Sequence, residues 1–256
     1  MTIISATSSM SAFGFLTVLY FSSKYYFFDK KGPEAGSKSF ILSLLYILLV
    51  VGSQLYINVR NSAALCNNTP QMVSSFIYTL IPNFFILGFI IVIMKVLPGW
   101  KAPFSNTFGY GLAKMMGAGG ALNDLLKDKK VNGVAMGELI QKICDNKSII
   151  INEMTPLNFK SFLKKMNTDN LLKTNYAKRE GYKTLWNLVV MKDSFAEFMW
   201  VSLCGTLVIS TTYNALLEIS CNIPIKQRKA AAAELDAAVS KSKAAESKPK
   251  LFSVKD

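Results

Sequence analysis

Three long apolar runs, Phe40 to Ile57, Val73 to Val96 and Phe195 to Leu217, constrain this chain more than any other feature; the middle one reads VSSFIYTLIPNFFILGFIIVIMKV. A bilayer core about 30 Å thick takes roughly 20 apolar residues of helix at about 1.5 Å rise each, so these runs are long enough to cross it. The chain is therefore expected in a membrane. A further span is expected at Ala12 to Phe28, where nothing charged precedes Lys24. A secretory signal carries positive charge ahead of its apolar stretch and a small-residue cleavage site after it. MTIISATSSM has no charge and KYYFF no such site, so this segment reads as a retained anchor, with Lys24 snorkelling to the headgroups beside Tyr25, Tyr26, Phe27 and Phe28.

The expected fold is mainly α, a multi-span helical membrane protein with four spans favoured and three as the alternative. A membrane region occupies 1–98, with spans near 12–28, 40–57 and 73–96. An interfacial turn and a basic helical extramembrane region fill 99–194, a last span covers 195–217, and a basic low-complexity tail takes 218–256. Positive residues in short loops mark the cytoplasmic side. The first connection holds Lys24, Lys30, Lys31 and Lys38 and the second only Arg60, which puts the first loop and the region 99–194 on one side. The tail then falls outside, although Lys226, Arg228 and Lys229 follow the last span directly. Three spans remain the alternative for that reason.

The chain carries 29 Lys plus Arg against 16 Asp plus Glu and no histidine. Without histidine, Ser-His-Asp and Cys-His catalysis, His-containing zinc sites and the commonest neutral-pH proton shuttle are excluded. Acidic groups inside the runs are confined to Glu197 and Glu218, both near ends of the last one, whereas a proton-coupled transporter places ionisable groups at mid-membrane depth. The four cysteines, Cys66, Cys144, Cys204 and Cys221, form no CxxC pair, so no thiolate metal site is expected. Cys204 reads as a small packing residue. Cys66 and Cys221 fall just outside membrane runs on the same face of this topology, which makes them a candidate disulfide, with two unpaired thiols as the alternative.

Pro82 with Asn83 predicts a kink in the third run, either a gate or a bend that Asn83 and neighbouring helices satisfy. Beyond it, Pro98-Gly99 and Pro103 break the helix, and Trp100, Phe104, Phe108 and Tyr110 supply amphipathic rings at headgroup depth, an interfacial anchor. The glycines at 109, 111, 117, 119 and 120 have no following Gly-Lys-Ser/Thr, so a phosphate loop is not expected. Thr155-Pro156 is the expected N-cap and first-turn proline of a helix. On that helix Phe159, Phe162, Leu163 and Met166 share one face, with Lys160, Lys164 and Lys165 alongside. That pattern suits docking on a partner, and equally the core-facing helix of a small domain with a solvated basic side. Leu185, Leu188 and Val189 continue such a domain, and Trp186 anchors the approach to the last span. The Ala, Lys, Ser and Glu tail predicts a frayed helix and then disorder, and its mixed charge and lack of interleaved aromatics argue against specific nucleic-acid binding.

The segment LPGWKAPFSNTFGYGLAKMMG, joined to the preceding NNTPQMVSSFIYTLIPNFFILG, resembles membrane-embedded minor capsid proteins of large icosahedral double-stranded DNA viruses of the chlorovirus type. The likeness is carried by Asn68, Thr69, Pro70, Pro82, Asn83, Pro98, Trp100, Pro103, Phe104, Asn106, Thr107, Gly109 and Tyr110, within residues 67 to 120, and the tail is similar in style. It implies a structural protein, not an enzyme, that anchors the viral internal membrane to the icosahedral shell. It further implies lipid, the major capsid protein and other minor capsid proteins as partners. The implied location is the virion inner membrane, and a host internal membrane during assembly. No catalytic residue, metal or cofactor comes with that role. The competing class is a small channel or transporter using Pro82, Asn83 and the polar face of the last span.

Overall fold

The computed structural model describes residues 6–27, 29, 36–127, 138, 141–143, 145–221 and, in the tail, 229–230, 232–234, 236–237 and 239–240. The first-loop lysines Lys30 and Lys31, the middle-region Lys129 and Lys130, Cys144 and the end of the tail lie outside the described residues. The helices are α1 (Ala6–Phe27), α2 (Gly36–Leu65), α3 (Met72–Val96), α4 (Tyr110–Met115), α5 (Ala118–Leu125), α6 (Lys147–Glu153), α7 (Phe159–Thr168) and α8 (Glu180–Leu217). Among the described residues there is no strand, only an isolated antiparallel bridge between Leu126 and Leu172. Three stretches are long and apolar enough to cross a membrane: Ile41–Leu65, Met72–Val96 and Glu180–Leu217, with mean hydropathy 1.8, 2.4 and 1.3. The remaining expected span, α1, forms as a 22-residue helix and is not among these three, its serines and Lys24 diluting the apolar run.

The chain divides into two compact units, one of Met1–Leu16, Leu45–Phe89 and Leu203–Asp256, the other of Thr17–Leu44 and Ile90–Ser202. In the first unit, α2 and α3 form an antiparallel hairpin. Its turn uses two successive asparagines, Asn67 and Asn68, at φ 51° and 64°, the left-handed region that asparagine tolerates better than most residues. The Asn68 amide donates to the Ala63 carbonyl at 2.8 Å and closes the end of α2. The helix thus runs past the expected boundary at Ile57.

Pro82 lies inside α3 and is followed by a π turn over Asn83–Gly88. Proline has no N–H, so the Tyr78 carbonyl one turn back loses its usual partner. The Thr212 hydroxyl of α8 donates to that carbonyl at 3.0 Å. Asn83 Nδ2 donates to the Thr79 carbonyl at 2.8 Å. The carbonyls around the expected kink are thus met by Asn83 and a neighbouring helix. Gly205 of α8 faces Phe13 of α1 so closely that a Cβ there would lie 1.9 Å from the ring, so the close approach of the two helices requires glycine.

The second unit holds a core that includes Leu122, Leu125, Ile151, Met154, Phe159, Leu163, Leu172, Leu185 and Val189. Phe159 is fully buried, with ring centroids 5.3 Å from Tyr182 and 5.2 Å from Trp186. Burying a ring of this size contributes about 1.5–3 kcal/mol. The helix carrying it starts later than the Thr155-Pro156 signal indicates. Thr155 and Asn158 instead close a turn on each other, the Thr155 amide donating to Asn158 Oδ1 at 2.7 Å and the Asn158 amide to Thr155 Oγ1 at 3.3 Å, and α7 begins at Phe159. The reciprocal pair has the geometry of a capping box, and the Phe159 amide donates to the Thr155 carbonyl at 3.0 Å, so a turn closed at Thr155 leads directly into α7.

Candidate functional site

Two polar constellations stand out, one in each unit. The first is built on helical spacing. Gln54, Asn58 and Asn61 of α2 lie at i, i+4 and i+7, and Ser75, Thr79 and Asn83 of α3 at i, i+4 and i+8, so each set occupies one face. All six are buried. Asn58 Nδ2 donates to Thr79 Oγ1 at 2.9 Å, Asn83 Nδ2 to Gln54 Oε1 at 2.8 Å, and the Thr79 hydroxyl to the Ser75 carbonyl at 2.6 Å. At the closed end of the hairpin the Gln71 amide donates to Ser62 Oγ at 3.0 Å. Gln54 Nε2, Asn83 Oδ1 and both side-chain polar atoms of Asn61 have no hydrogen-bond partner among the described residues. Just beyond this seam Cys66 and Cys221 are joined in a disulfide with their Cα atoms 5.5 Å apart, packed with Leu216 and Ile219.

The second constellation is ionic. Glu197 of α8 receives Lys24 of α1 on one carboxylate oxygen and Lys101 on the other, the latter at 3.2 Å. Lys24 also lies 3.6 Å from Asp29, and Lys101 pairs with Asp193. Ser194 Oγ donates to Asp29 Oδ2 at 2.6 Å. The two lysine side chains are only 12 % and 11 % exposed, so the expected snorkelling of Lys24 to the headgroups is corrected: its charge turns inward, to the carboxylates of Glu197 and Asp29. Burial pushes the Asp29 carboxyl above its ordinary range, and Lys24 only partly offsets this. Burial lowers Lys101, but Glu197 and Asp193 outweigh it and hold its ammonium above the ordinary lysine range.

Aromatic rings flank this cluster. Trp100 and Trp200 lie 6.0 Å apart, Phe104 lies 4.9 Å from Trp200 and 6.3 Å from Phe108, and the Trp200 indole donates to the Trp100 carbonyl at 3.0 Å. Of the expected anchor residues, Trp100, Phe104 and Phe108 thus come together, while Tyr110 packs on the core of the second unit. Lys192 is 1 % exposed and spends its three protons on Asn106 Oδ1 and on the Ile151 and Asn152 carbonyls, each at 3.1 Å. A cation there caps the last turn of α6.

The expected docking face on α7 is corrected, and the equally weighed alternative, a core-facing helix with a solvated basic side, is the one found. Phe159, Leu163 and Met166 are buried in the core of the unit and Phe162 packs against it, which leaves Lys160, Lys164 and Lys165 as the exposed side. The apolar face is consumed because α8 supplies Leu185, Trp186 and Val189 to cover it. A surface groove of about 500 Å³ lies beside Gly120, Asp124, Arg179, Gly181 and Thr184. Its charges satisfy each other: Arg179 Nε donates to Asp124 Oδ1 at 3.1 Å and the Gly181 amide to Asp124 Oδ2 at 3.2 Å. The Arg179 hydrogen bond holds the Asp124 carboxyl below the usual range. Among the described residues no group of three His, Cys, Asp or Glu side chains is placed to hold a metal.

In the sequence Asn83 stands out beside Pro82, whereas Gln54, Asn58, Ser75 and Thr79 are marked only by a four-residue spacing in or next to apolar runs. Asp193 is marked only by sharing a helix face with Glu197 at i, i+4. Compared with known proteins, the chain matches no family model, no curated protein and no solved structure.

Proposed function

We propose that this chain is a membrane-anchored structural protein that ties a lipid bilayer to a protein layer, without enzymatic activity. The reading is carried by α8, one uninterrupted helix of 38 residues that contributes Leu185, Leu188 and Val189 to a helical core and then continues into an apolar run. A helix of that length spans about 57 Å, enough to cross a bilayer and hold a domain beside it. The resemblance within residues 67 to 120 gives the specific form of the proposal: a minor capsid protein linking the internal membrane of a large icosahedral DNA virus to its shell. α1 is the fourth span in this reading, and the middle region is extramembrane. The disulfide supports the proposed sidedness, because it joins the C-terminal ends of α2 and α8 and so puts both on one face.

Docking in this proposal runs through Lys160, Lys164 and Lys165, since the apolar side of α7 is already covered. The shell partner then offers acidic groups, and association is steered by charge. Replacing the three lysines with glutamate and co-purifying the chain with capsid components from detergent-treated particles tests this. Loss of the partner with membrane insertion intact is the expected outcome, and full retention contradicts it. A channel is the second reading, favoured by the unpartnered Gln54 Nε2 and Asn83 Oδ1 in the α2–α3 seam. Solute flux in liposomes made with the pure chain separates the two.

A further inference from the structure

From Pro98 to Met115 the backbone is helical throughout, passing from a 3-10 turn (Pro98–Lys101) through Ala102–Phe104 and a π turn over Ser105–Gly109 into α4. Its two faces differ in kind. Ser105, Gly109 and Ala113 recur every four residues and are buried, and at Gly109 a Cβ would lie 2.6 Å from the Lys192 carbonyl oxygen. The missing side chain at Gly109 is what lets the segment lie tight on α8 there. The other stripe is Trp100, Phe104, Phe108, Leu112 and Met115, also spaced by three or four. Trp100 is 44 % exposed, Phe108 59 % and Met115 78 %, with Phe104 and Leu112 half-buried.

A helix resting on a domain in water turns polar residues outward. This one turns aromatic and aliphatic groups outward, and the chain enters it directly from α3, whose apolar run ends at Val96 with Leu97 alone between. The start of the segment is therefore pinned at the level where that span leaves the hydrocarbon. Rings such as Trp100 and Phe108 suit the boundary between headgroups and acyl chains, and the exposed Lys114 on the flank suits anionic headgroups.

We infer that Pro98–Met115 is an in-plane membrane helix, its small-residue face on α8 and its Trp100-to-Met115 stripe sunk in the lipid interface. The occupant of the stripe is lipid, because the segment continues a span that itself ends at the interface. The inference goes beyond the scaffold reading and stands whether or not a shell partner exists.

Nitroxide labels test it. Cysteines at 108, 115 and 164 are introduced one at a time in a chain carrying Cys144→Ser and Cys204→Ser. Each variant is placed singly in nanodiscs of phosphatidylcholine and phosphatidylglycerol, and accessibility to oxygen and to a water-soluble nickel chelate is read by power saturation. Labels at 108 and 115 should be oxygen-accessible and nickel-protected, at a depth of roughly 5–10 Å, while the label at 164 stays nickel-accessible. Nickel access at 108 or 115 equal to that at 164 overturns the inference. Protection from both reagents also overturns it, because protein rather than lipid then covers the stripe.

Discussion

The α2–α3 seam and the Glu197 cluster handle buried polarity in opposite ways. The seam lies within apolar runs and is wholly neutral, made of amides and hydroxyls. The cluster lies where α8 enters its apolar run and is built on charge, with two lysines against three carboxylates and the Ser194 hydroxyl on Asp29. A neutral amide costs a few kcal/mol to bury without a partner, whereas an isolated charge costs far more, so only the second must be balanced group by group. The contrast teaches that each polar residue in these helices is placed by what its burial costs.

The largest expected effect follows from the charged region. Replacing Lys24 with methionine takes from Asp29 its ion-pair partner among the described residues and halves the compensation of Glu197. Removing one partner of such a buried pair costs about 3–5 kcal/mol. Denaturant unfolding of the chain in nanodiscs measures it, and a double variant that also carries Glu197→Leu should recover part of the loss. A loss as small as that of an exposed ion pair would mean that water reaches the cluster.

Next comes the disulfide, which closes a separation of 155 residues. Cys66→Ser should lower stability by about 2–4 kcal/mol. Peptide mapping without reductant should return the peptides of Cys66 and Cys221 joined. Free thiols at both positions would remove this tie and the sidedness argument that rests on it.

The neutral seam should be more forgiving. Asn83→Leu removes the bonds to Gln54 and Thr79, and intramembrane hydrogen bonds are worth only about 0.6–1.7 kcal/mol each. Comparing its thermal melt with that of Lys24→Met sharpens the contrast between the regions. Equal losses would show that the seam carries more than local pairing.

The smallest effect belongs to Asp124, an exposed carboxylate paired with Arg179. Because its folded pKa is depressed below the ordinary 3.8, its contribution is fully present above that value and is lost as pH falls through the lower folded pKa. Asp124→Asn should therefore melt slightly below the wild-type chain at neutral pH, and the gap should close only in acid below about pH 3.8. A gap that closes near pH 6 would point to a different group.

How much of this was legible in the sequence depended on the range of the interaction. The apolar runs announced the three long helices, because length and hydropathy are local properties. Pro82 announced the break in the α-helical hydrogen-bond ladder for the same reason. The positions of Cys66 and Cys221 just outside two runs pointed to their pairing only through a topology. The charge cluster was not legible, since Lys24 and Lys101 reach Glu197 across separations of 173 and 96 residues and no spacing rule links them. The α7 face left two readings open. Phe159, Leu163 and Met166 have a pattern that suits a docking stripe and a core-facing helix equally, and only the packing of Leu185 and Trp186 over it decides for the core.

The measurement that bears most directly on the central claim is cross-linking of Lys160, Lys164 and Lys165 to carboxylates in intact particles, read by mass spectrometry. The account predicts links from these lysines to acidic residues of a shell protein, together with no solute flux when the purified chain is placed in liposomes. Links confined to the chain itself, accompanied by flux that Asn83→Leu abolishes, would contradict it.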